Sequence, residues 1–222
     1  MRHALVGLAI VLALAVTSDA VAGPPTDQLR QSVDLVLRIL SDPELKREAK
    51  TAERRVLIRK VANDIFDFAE ISQRSLGRHW QGRTPAERGE FVRLFGDLLE
   101  HSYISRIESY SDEKIRYTGE VVDGDQAVVK TRIVTRQGTE IPVDYRTFLK
   151  GGRWRAYDVN IEGVSLVANY RTQFNTVILR AGYPDLVAKL RAKQNARPGP
   201  RETGRRPADA PPPSPIPVSQ TP

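Results

Sequence analysis

The sequence of 222 residues contains no cysteine and only three histidines, His3, His79 and His101. Without cysteine the chain forms no disulfide, offers no thiol nucleophile and has no N-terminal cysteine for lipid attachment. The histidines do not follow a ligand spacing known for zinc sites. Nucleophile-elbow, phosphate-loop and dinucleotide-binding motifs are missing as well. The sequence therefore predicts a protein that has no metal and no cofactor and is not an enzyme.

Long apolar runs are also missing, except at the N-terminus, where residues 1–22 are typical of a secretory signal peptide. Arg2 gives a basic start, an apolar run covers residues 4–16, and Ala20 and Ala22 are small residues of the kind that signal peptidase recognises. This run is shorter than the ~20 residues that a membrane-spanning helix needs. We predict cleavage after Ala22 and a soluble, secreted mature chain.

The C-terminal residues 197–222 contain nine of the fifteen prolines and no aromatic residue. Such a segment cannot bury enough apolar surface to offset the entropy lost on ordering, so we predict disorder. Docking of a partner as a polyproline helix is the alternative. Residues 23–196 remain as one domain that is large enough for a substantial core.

The net charge is +7, and basic and acidic residues are interspersed along the chain. This balance favours mild attraction to an anionic lipid surface or to an acidic protein partner. Because no nucleic-acid-binding motif occurs and export is predicted, nucleic acid is not expected as a partner.

Hydrophobic spacing predicts an α+β fold in which helices precede and follow an antiparallel sheet. In the first half, a charged helix is predicted to start at Glu44, and Thr84-Pro85-Ala86-Glu87 has the residues of a helix start. Alternation with a period of two then predicts four strands, joined by turns at residues 123–125, 137–139 and 151–152. Gly163 ends the last strand, and Ser165 is predicted to cap the next helix.

Helices packed on one face of a strongly curved four-stranded sheet would enclose a cone with a hydrophobic cavity. This arrangement resembles the nuclear-transport-factor-2-like group of folds. A fold of that kind can support acid–base chemistry by an aspartate and a tyrosine in an apolar pocket. Asp144-Tyr145 and Tyr157-Asp158 supply both residue types, but neighbours on a strand point to opposite faces. A structural role, with Asp158 capping a turn or pairing with arginine, is the alternative.

Four local patterns occur in order along the chain. They are Phe66-Asp67-Phe68 with Leu76-Gly77-x-x-Trp80; Thr84-Pro85-x-Glu87-Arg88-x-x-Phe91; Trp154-Arg155-Ala156-Tyr157-Asp158 with Glu162-Gly163-Val164-Ser165; and Tyr170-Arg171-x-x-Phe174. Together they resemble the MlaC, or toluene-tolerance auxiliary, family over roughly residues 28–193. The proline-rich tail lies outside this pattern.

The resemblance implies a periplasmic carrier that shuttles phospholipid between the outer and inner membranes of a Gram-negative envelope. It also implies two protein partners: an inner-membrane ABC transporter with a ring of mammalian-cell-entry (MCE) domains, and an outer-membrane lipoprotein–porin complex. A branch of the family is associated with hopanoid lipids, and the sequence does not separate the two branches. A structural adaptor that binds partner proteins without lipid is a further alternative.

A lipid carrier needs a deep apolar cavity of about 1,000 Å³ or more, because most of both acyl chains must be removed from water. We predict that the inward sheet face and the helices above it line this cavity, with ordinary core packing as the alternative for each residue. Arg78 and Arg132 are candidates to meet a lipid phosphate at its mouth, and Trp80 and Trp154 are expected to be structural. The predicted lining residues are Ile65, Phe68, Ile71, Phe91, Phe95, Leu98, Leu99, Tyr103, Val129, Ile133, Val143, Tyr145 and Val159.

Overall fold

The computed structural model describes residues 23–110 and 113–195. The predicted signal peptide (residues 1–22) and the predicted disordered tail (residues 197–222) lie outside this part of the chain. The helices and strands, in chain order, are α1 (Pro24–Ser41), α2 (Thr51–Ile65), α3 (Phe68–Leu76), α4 (Pro85–Glu108), β1 (Lys114–Asp123), β2 (Gln126–Val134), β3 (Glu140–Lys150), β4 (Arg153–Ile161), β5 (Val164–Ser165), α5 (Leu166–Ala181) and α6 (Tyr183–Asn195).

The predicted α+β fold is confirmed, but the sheet has five strands and not four. The fifth strand forms because the backbone reverses at Glu162 and Gly163, which both have positive φ values of 51° and 85°. Glycine adopts this left-handed conformation without steric cost. The reversal pairs Val164 with Ile161 before the Ser165 side chain accepts a hydrogen bond from the Ala168 N–H and starts α5.

Short polar side chains bind the backbone at two helix starts, and one of these starts differs from the sequence prediction. The predicted charged helix does not begin at Glu44. The Asp42 carboxylate accepts the Glu44 N–H at 2.8 Å, which holds a turn, and α2 begins only at Thr51. Asp67 likewise accepts the Glu70 N–H at 3.0 Å and starts α3. Side chains of this kind compete with helical hydrogen bonds and so set helix boundaries.

The sheet is an antiparallel meander whose strands follow one another in sequence order. The predicted turns are confirmed. Gly151 and Gly152, for example, join β3 to β4 with φ values of 57° and 74°, as a two-residue hairpin loop requires. Irregular pairing between Tyr117 and Gly119 and between Arg146 and Thr147 interrupts the register. Such bulges bend strands and increase their twist, which is consistent with a curved sheet.

Two clusters of apolar side chains hold the helices and the sheet together. The first, here called the helical core, lies among α3, α4, α5 and α6 and contains only helical or helix-end residues. Its buried members are Ile71, Leu76, Phe91, Leu94, Phe95, Leu98, Leu99, Val167, Tyr170, Phe174, Val177, Tyr183, Leu186, Val187 and Leu190.

The second cluster, here called the sheet-side cluster, joins α1, α2 and the end of α4 to the sheet. As many of its members are partly exposed as are buried, so it is less well sealed than the helical core. Its buried members are Leu29, Ile39, Leu40, Ile58, Val61, Ile65, Ile104, Val129 and Ala156, and its partly exposed members are Val33, Val36, Leu45, Leu57, Phe66, Ile107, Tyr110, Tyr117 and Tyr145.

Aromatic rings fill the centre of the helical core. The Phe174 ring meets Phe91 at a centroid distance of 5.5 Å and Phe95 at 5.0 Å, both edge to face. Aromatic pairs prefer this geometry because the positive ring edge meets the negative ring face. The capping box predicted at Thr84 and Glu87 is confirmed and starts the helix that carries Phe91 and Phe95.

A cluster of charged side chains ties α2 to the end of α4. The Glu108 carboxylate accepts hydrogen bonds from Arg54 and Arg55 at 2.8 Å each, and only 6% of its side chain is exposed. Burial opposes ionisation of Glu108, but the hydrogen bonds from Arg55 and Arg54 outweigh burial and lower the pKa of the carboxyl group. Glu108 therefore stays charged and fixes α2 against α4.

Replacing Phe174 with alanine should lower the free energy of unfolding by about 3–5 kcal/mol, because it removes the ring at the centre of the helical core. Urea unfolding followed by circular dichroism measures this loss. Leu179→Ala on the same helix is the control, since Leu179 is 65% exposed, and it should change stability by less than about 0.5 kcal/mol. Equal losses in the two variants would contradict the assignment of Phe174 to a packed core.

Replacing Glu108 with glutamine should destabilise the protein by about 3 kcal/mol at pH 7, because two arginines lose their shared carboxylate. The wild-type carboxyl has a lower pKa folded than unfolded, so its contribution is full above about pH 5 and is lost as the pH falls towards the folded pKa. The variant should therefore lose less stability than the wild type between about pH 5 and pH 3.

Urea titrations at several pH values measure both effects. The control is Glu44→Gln, since the Glu44–Arg47 ion pair has both side chains more than 60% exposed, and such pairs contribute about 0–1 kcal/mol. The proposed link between α2 and α4 would be refuted if Glu108→Gln changed neither the stability at pH 7 nor the loss of stability between about pH 5 and pH 3.

Candidate functional site

The structure places the predicted lining residues in two separate groups. One group lies in the helical core or packs against it: Phe68, Ile71, Phe91, Phe95, Leu98, Leu99 and Tyr103. The other group lies on the inner sheet face or next to it: Ile65, Val129, Ile133, Val143, Tyr145 and Val159. The sequence prediction merged the two groups because α4 has apolar residues along its whole length, and spacing alone does not show which part meets the sheet.

The first group is packed against protein side chains. Phe91 and Phe95 have no exposed surface, and their rings contact each other and Phe174. This arrangement matches the core-packing alternative for these two residues. Contact between the first group and a lipid stays a prediction.

The second group forms ordered rows across the inner sheet face. Val129 pairs with Tyr145, and Tyr145 pairs with Val159, so these three side chains share one face. In the next rows, Val143 lies between Thr131 and Ile161, and Ile133 lies between Ile115 and Ile141. The predicted sheet residues are thus neighbours.

Sequence reasoning left four apolar or aromatic residues of the Ile133 and Val143 rows out of the site: Ile115, Tyr117, Ile141 and Ile161. The sequence prediction already placed all four on strands. What it lacked was the cross-strand register, which shows that they continue the rows of Ile133 and Val143.

Much of this inner face is apolar and yet partly exposed. Ile115, Ile133, Ile141 and Val159 are partly exposed, whereas Val129 beside them is completely buried. The outer face of the same strands carries charged side chains such as Lys130 and Arg132, as a solvated sheet face does. Apolar surface that remains accessible beside a core typically marks a binding site.

Two tyrosines place polar groups within the apolar face. Burial raises the pKa of Tyr145 to about 12, so its hydroxyl is neutral at physiological pH. The Tyr117 hydroxyl is buried and finds no hydrogen-bond partner among the described residues, while the Arg30 guanidinium lies 4.5 Å from the ring centroid. Burial, together with Tyr145 and Asp34 nearby, raises the pKa of Tyr117 as well. An unpartnered buried hydroxyl is costly, and a polar ligand atom beside it would remove that cost.

Two pockets among the described residues differ from the deep cavity that the sequence predicted. One is a recess of about 10 Å³ between α1 and the sheet, and the other is an open groove of about 420 Å³ beside α3 and α5. Neither is an apolar space large enough for two acyl chains. The reason is that side chains of α1 and α2, such as Leu29 and Ile65, rest directly against Ala156 of the sheet.

Polar contacts at its first turns attach α1 to the sheet. The Gln28 side chain donates to the Trp154 carbonyl at 2.6 Å and accepts the Trp154 N–H at 3.0 Å. The Glu120 carboxylate accepts the Thr26 N–H at 2.7 Å, where the positive end of the helix dipole favours an anion. Helix α1 therefore covers the inner face and is attached to it mainly at its N-terminal end.

The aspartate–tyrosine pairs do not form an acid–base site. Asp158 is buried, accepts the Ser165 hydroxyl at 2.6 Å and accepts the Val167 N–H at 3.0 Å, so it caps α5. The structural role predicted for it is confirmed, in the capping form. Asp144 lies on the sheet face opposite Tyr145, as alternation along the strand requires.

The remaining candidate side chains lie away from the inner face. Arg132 contacts Glu140 at 3.6 Å on the outer face, and Arg78 donates to Asn175 at 2.9 Å in the open groove. His79 also contacts Asn175, while His101 contacts the backbone of α4. Within residues 23–110 and 113–195, no group of metal-ligating side chains is arranged to hold an ion, and no helix is long and apolar enough to cross a membrane.

Comparison with known proteins supplies an independent observation. The chain is 24% identical over 190 residues to the intermembrane phospholipid transport system binding protein MlaC of Haemophilus influenzae. The aligned region covers 82% of this chain and 87% of that protein. It is 23% identical over 127 residues to the toluene tolerance protein ttg2D of Pseudomonas putida, covering 56% of this chain and 59% of that protein.

The fold is also similar to a solved structure, that of the phospholipid-binding protein from Ralstonia solanacearum in complex with a phospholipid. The TM-score is 0.68 with 26% sequence identity, covering 78% of this chain and 97% of that chain. The family model described as MlaC protein matches residues 30–192, which is most of the chain. By this match, the chain belongs to the MlaC family.

Proposed function

We propose that this chain is a phospholipid carrier that moves lipid between the outer and inner membranes and catalyses no reaction. The observation that carries the proposal is the apolar inner sheet face, which is partly exposed although the opposite face is charged. The acyl chains lie along this face between the sheet and helices α1 and α2. The lipid headgroup stays in solvent.

The energetics of lipid transfer explain why such a face is needed. A diacyl lipid has about 30 methylene groups, and each favours an apolar environment by ~0.8 kcal/mol. Roughly 24 kcal/mol therefore opposes free passage of the lipid through water. A carrier lowers this barrier by covering both chains, and it needs few directed polar contacts to do so. The scarcity of polar side chains on the inner face fits this requirement.

The family relationship supports the same chemistry. The H. influenzae relative is named for intermembrane phospholipid transport, and the R. solanacearum protein was solved with a phospholipid bound. We extend both properties to this chain. In the structure described here α1 and α2 cover part of the inner face, and entry of both acyl chains requires α1 to move away from the sheet, which separates Leu29 from Ala156.

The cellular setting follows from the same proposal. Residues 1–22 direct export, cleavage follows Ala22, and the mature chain works in the periplasm. Its partners are an inner-membrane ABC transporter with a ring of MCE domains and an outer-membrane lipoprotein–porin complex. The name of the H. influenzae relative, which refers to intermembrane phospholipid transport, supports this setting.

Protein purified from a Gram-negative host should contain bound phospholipid, which mass spectrometry of an organic extract detects. Replacing Ile133 with lysine should reduce the lipid-to-protein ratio about tenfold or more, because a charge on the inner face opposes burial of acyl chains. Val128→Lys on the outer face of the same strand is the matched control and should retain the lipid. Ile133 is partly exposed, so the variant should still fold, which circular dichroism checks.

Three results would contradict the proposal. Lipid-free wild-type protein would favour an adaptor that binds only proteins. A hopanoid in the extract, without phospholipid, would assign the chain to a different cargo. Equal loss of lipid from folded Ile133→Lys and Val128→Lys proteins would show that the inner face is not the binding site.

A further inference from the structure

An open groove of about 420 Å³ lies outside the proposed lipid site. It is bounded by α3, by the 3-10 turn Gly77–His79 that follows it, and by α5. Ile71 and Leu76 on α3 are buried in the helical core, and the Arg74 guanidinium lies 4.1 Å from the ring centroid of Tyr157 on β4. The groove therefore borders the helical core and Tyr157, and none of the inner-face residues named above lines it. The residues that line the groove are Glu70, Gln73, Arg74, Gly77, Arg78, Trp80, Gln81 and Arg171.

The groove has an excess of positive charge. Three of its lining residues are arginines and only one, Glu70, is acidic. Glu70 is already paired with Arg74 at 2.7 Å. Arg78 and Arg171 are exposed and have no carboxylate partner among the described residues, whereas Arg54, Arg55 and Arg59 elsewhere are paired with glutamates.

Neutral hydrogen bonds hold both unpaired arginines over the groove. The Arg171 Nε donates a hydrogen bond to the Arg74 carbonyl at 2.8 Å. The Arg78 Nη2 donates a hydrogen bond to Asn175 Oδ1 at 2.9 Å. Arg171 also lies against Gly77, where an added Cβ atom would be only 3.4 Å from its Cδ. Because these contacts restrain the side chains, little conformational entropy remains to be lost when an anion binds.

The other lining groups suit a peptide. Trp80 lines the groove and is partly exposed, although its ring also packs against the helical core and lies 5.3 Å from the Arg88 guanidinium. Gln73 and Gln81 offer amides that can bond to a peptide backbone. The proline-rich tail of this chain carries more arginine than acidic residues, so its charge does not match the groove.

We infer that this groove docks an extended, carboxylate-rich segment of a partner protein, with Arg78 and Arg171 binding its carboxylates and Trp80 packing against its side chains. Guanidinium groups bind carboxylates through paired, charge-assisted hydrogen bonds. The groove is separate from the inner sheet face, so docking does not depend on the lipid cargo.

The test measures binding of fluorescein-labelled hexaglutamate to the full exported chain by fluorescence anisotropy at low salt. The double variant Arg78→Glu/Arg171→Glu should weaken binding by about tenfold or more. Arg153→Glu/Arg180→Glu is the matched control, because it changes the net charge equally at exposed arginines outside the groove. The control should change affinity by less than about threefold, an effect of overall charge alone. Arg78→Lys/Arg171→Lys should retain partial binding.

Several results would overturn the inference. Equal weakening in the two charge-reversed variants would show that hexaglutamate responds only to net charge. Displacement of the peptide by equimolar inorganic phosphate would identify a phosphate site. The groove would be a membrane contact if the wild-type protein did not bind the peptide but sedimented with phosphatidylglycerol vesicles, and if Arg78→Glu/Arg171→Glu abolished this sedimentation.

Lipid extraction from the same variants separates this inference from the proposed function. Arg78→Glu/Arg171→Glu should contain as much phospholipid as the wild type. Loss of lipid from this folded variant would make the groove part of the carrier site and refute a separate docking surface. Lipid-free wild-type protein that still binds hexaglutamate through the groove would refute the carrier proposal and leave the docking inference supported.

Discussion

The apolar inner face of the sheet is the constraint on which the rest of the structure depends. Strand alternation places Ile133 and Val159 on one side and Lys130 and Arg132 on the other. Removing apolar surface from water lowers the free energy by about 25 cal/mol per Å². The inner face is therefore more stable when another part of the chain or a ligand covers it. Helices α1 and α2 supply part of the cover and leave several aliphatic side chains partly exposed. In the proposed carrier function, the acyl chains of the lipid complete the burial that the protein leaves unfinished.

Stability and accessibility are divided between the two clusters. The helical core is sealed around Phe174, and it supplies packing that does not depend on the state of the inner face. The sheet-side cluster is partly exposed, and its cover α1 is attached through a few polar contacts such as Gln28 to Trp154. Regions that open for a ligand generally come from the less stable parts of a protein. Because the open groove borders the helical core and not the inner face, a partner docked there, as we infer, would leave the inner face free.

Local signals predicted much of the fold. Thr84 and Glu87 form the expected capping box, Gly151 and Gly152 form the expected turn, and Ser165 caps α5. Each depends on atoms a few residues apart. The prediction failed at Glu44, where Asp42 holds a turn, because a charged segment with helical spacing does not show that a nearby side chain competes for its backbone. The two-residue fifth strand was missed for a similar reason: it pairs only after Glu162 and Gly163 reverse the chain.

The sequence by itself determined which residues are apolar, which face of each strand they share and, through four ordered patterns, the family of the chain. The tertiary structure alone decided which of these apolar surfaces meet. It placed Phe91 and Phe95 against other helices and left Ile133 on an accessible sheet face, and it brought Arg78 and Arg171 to one groove from distant positions. The physical reason is that hydrophobic burial has no direction. Periodicity shows that a surface must be covered, but only the packing of the whole chain selects what covers it.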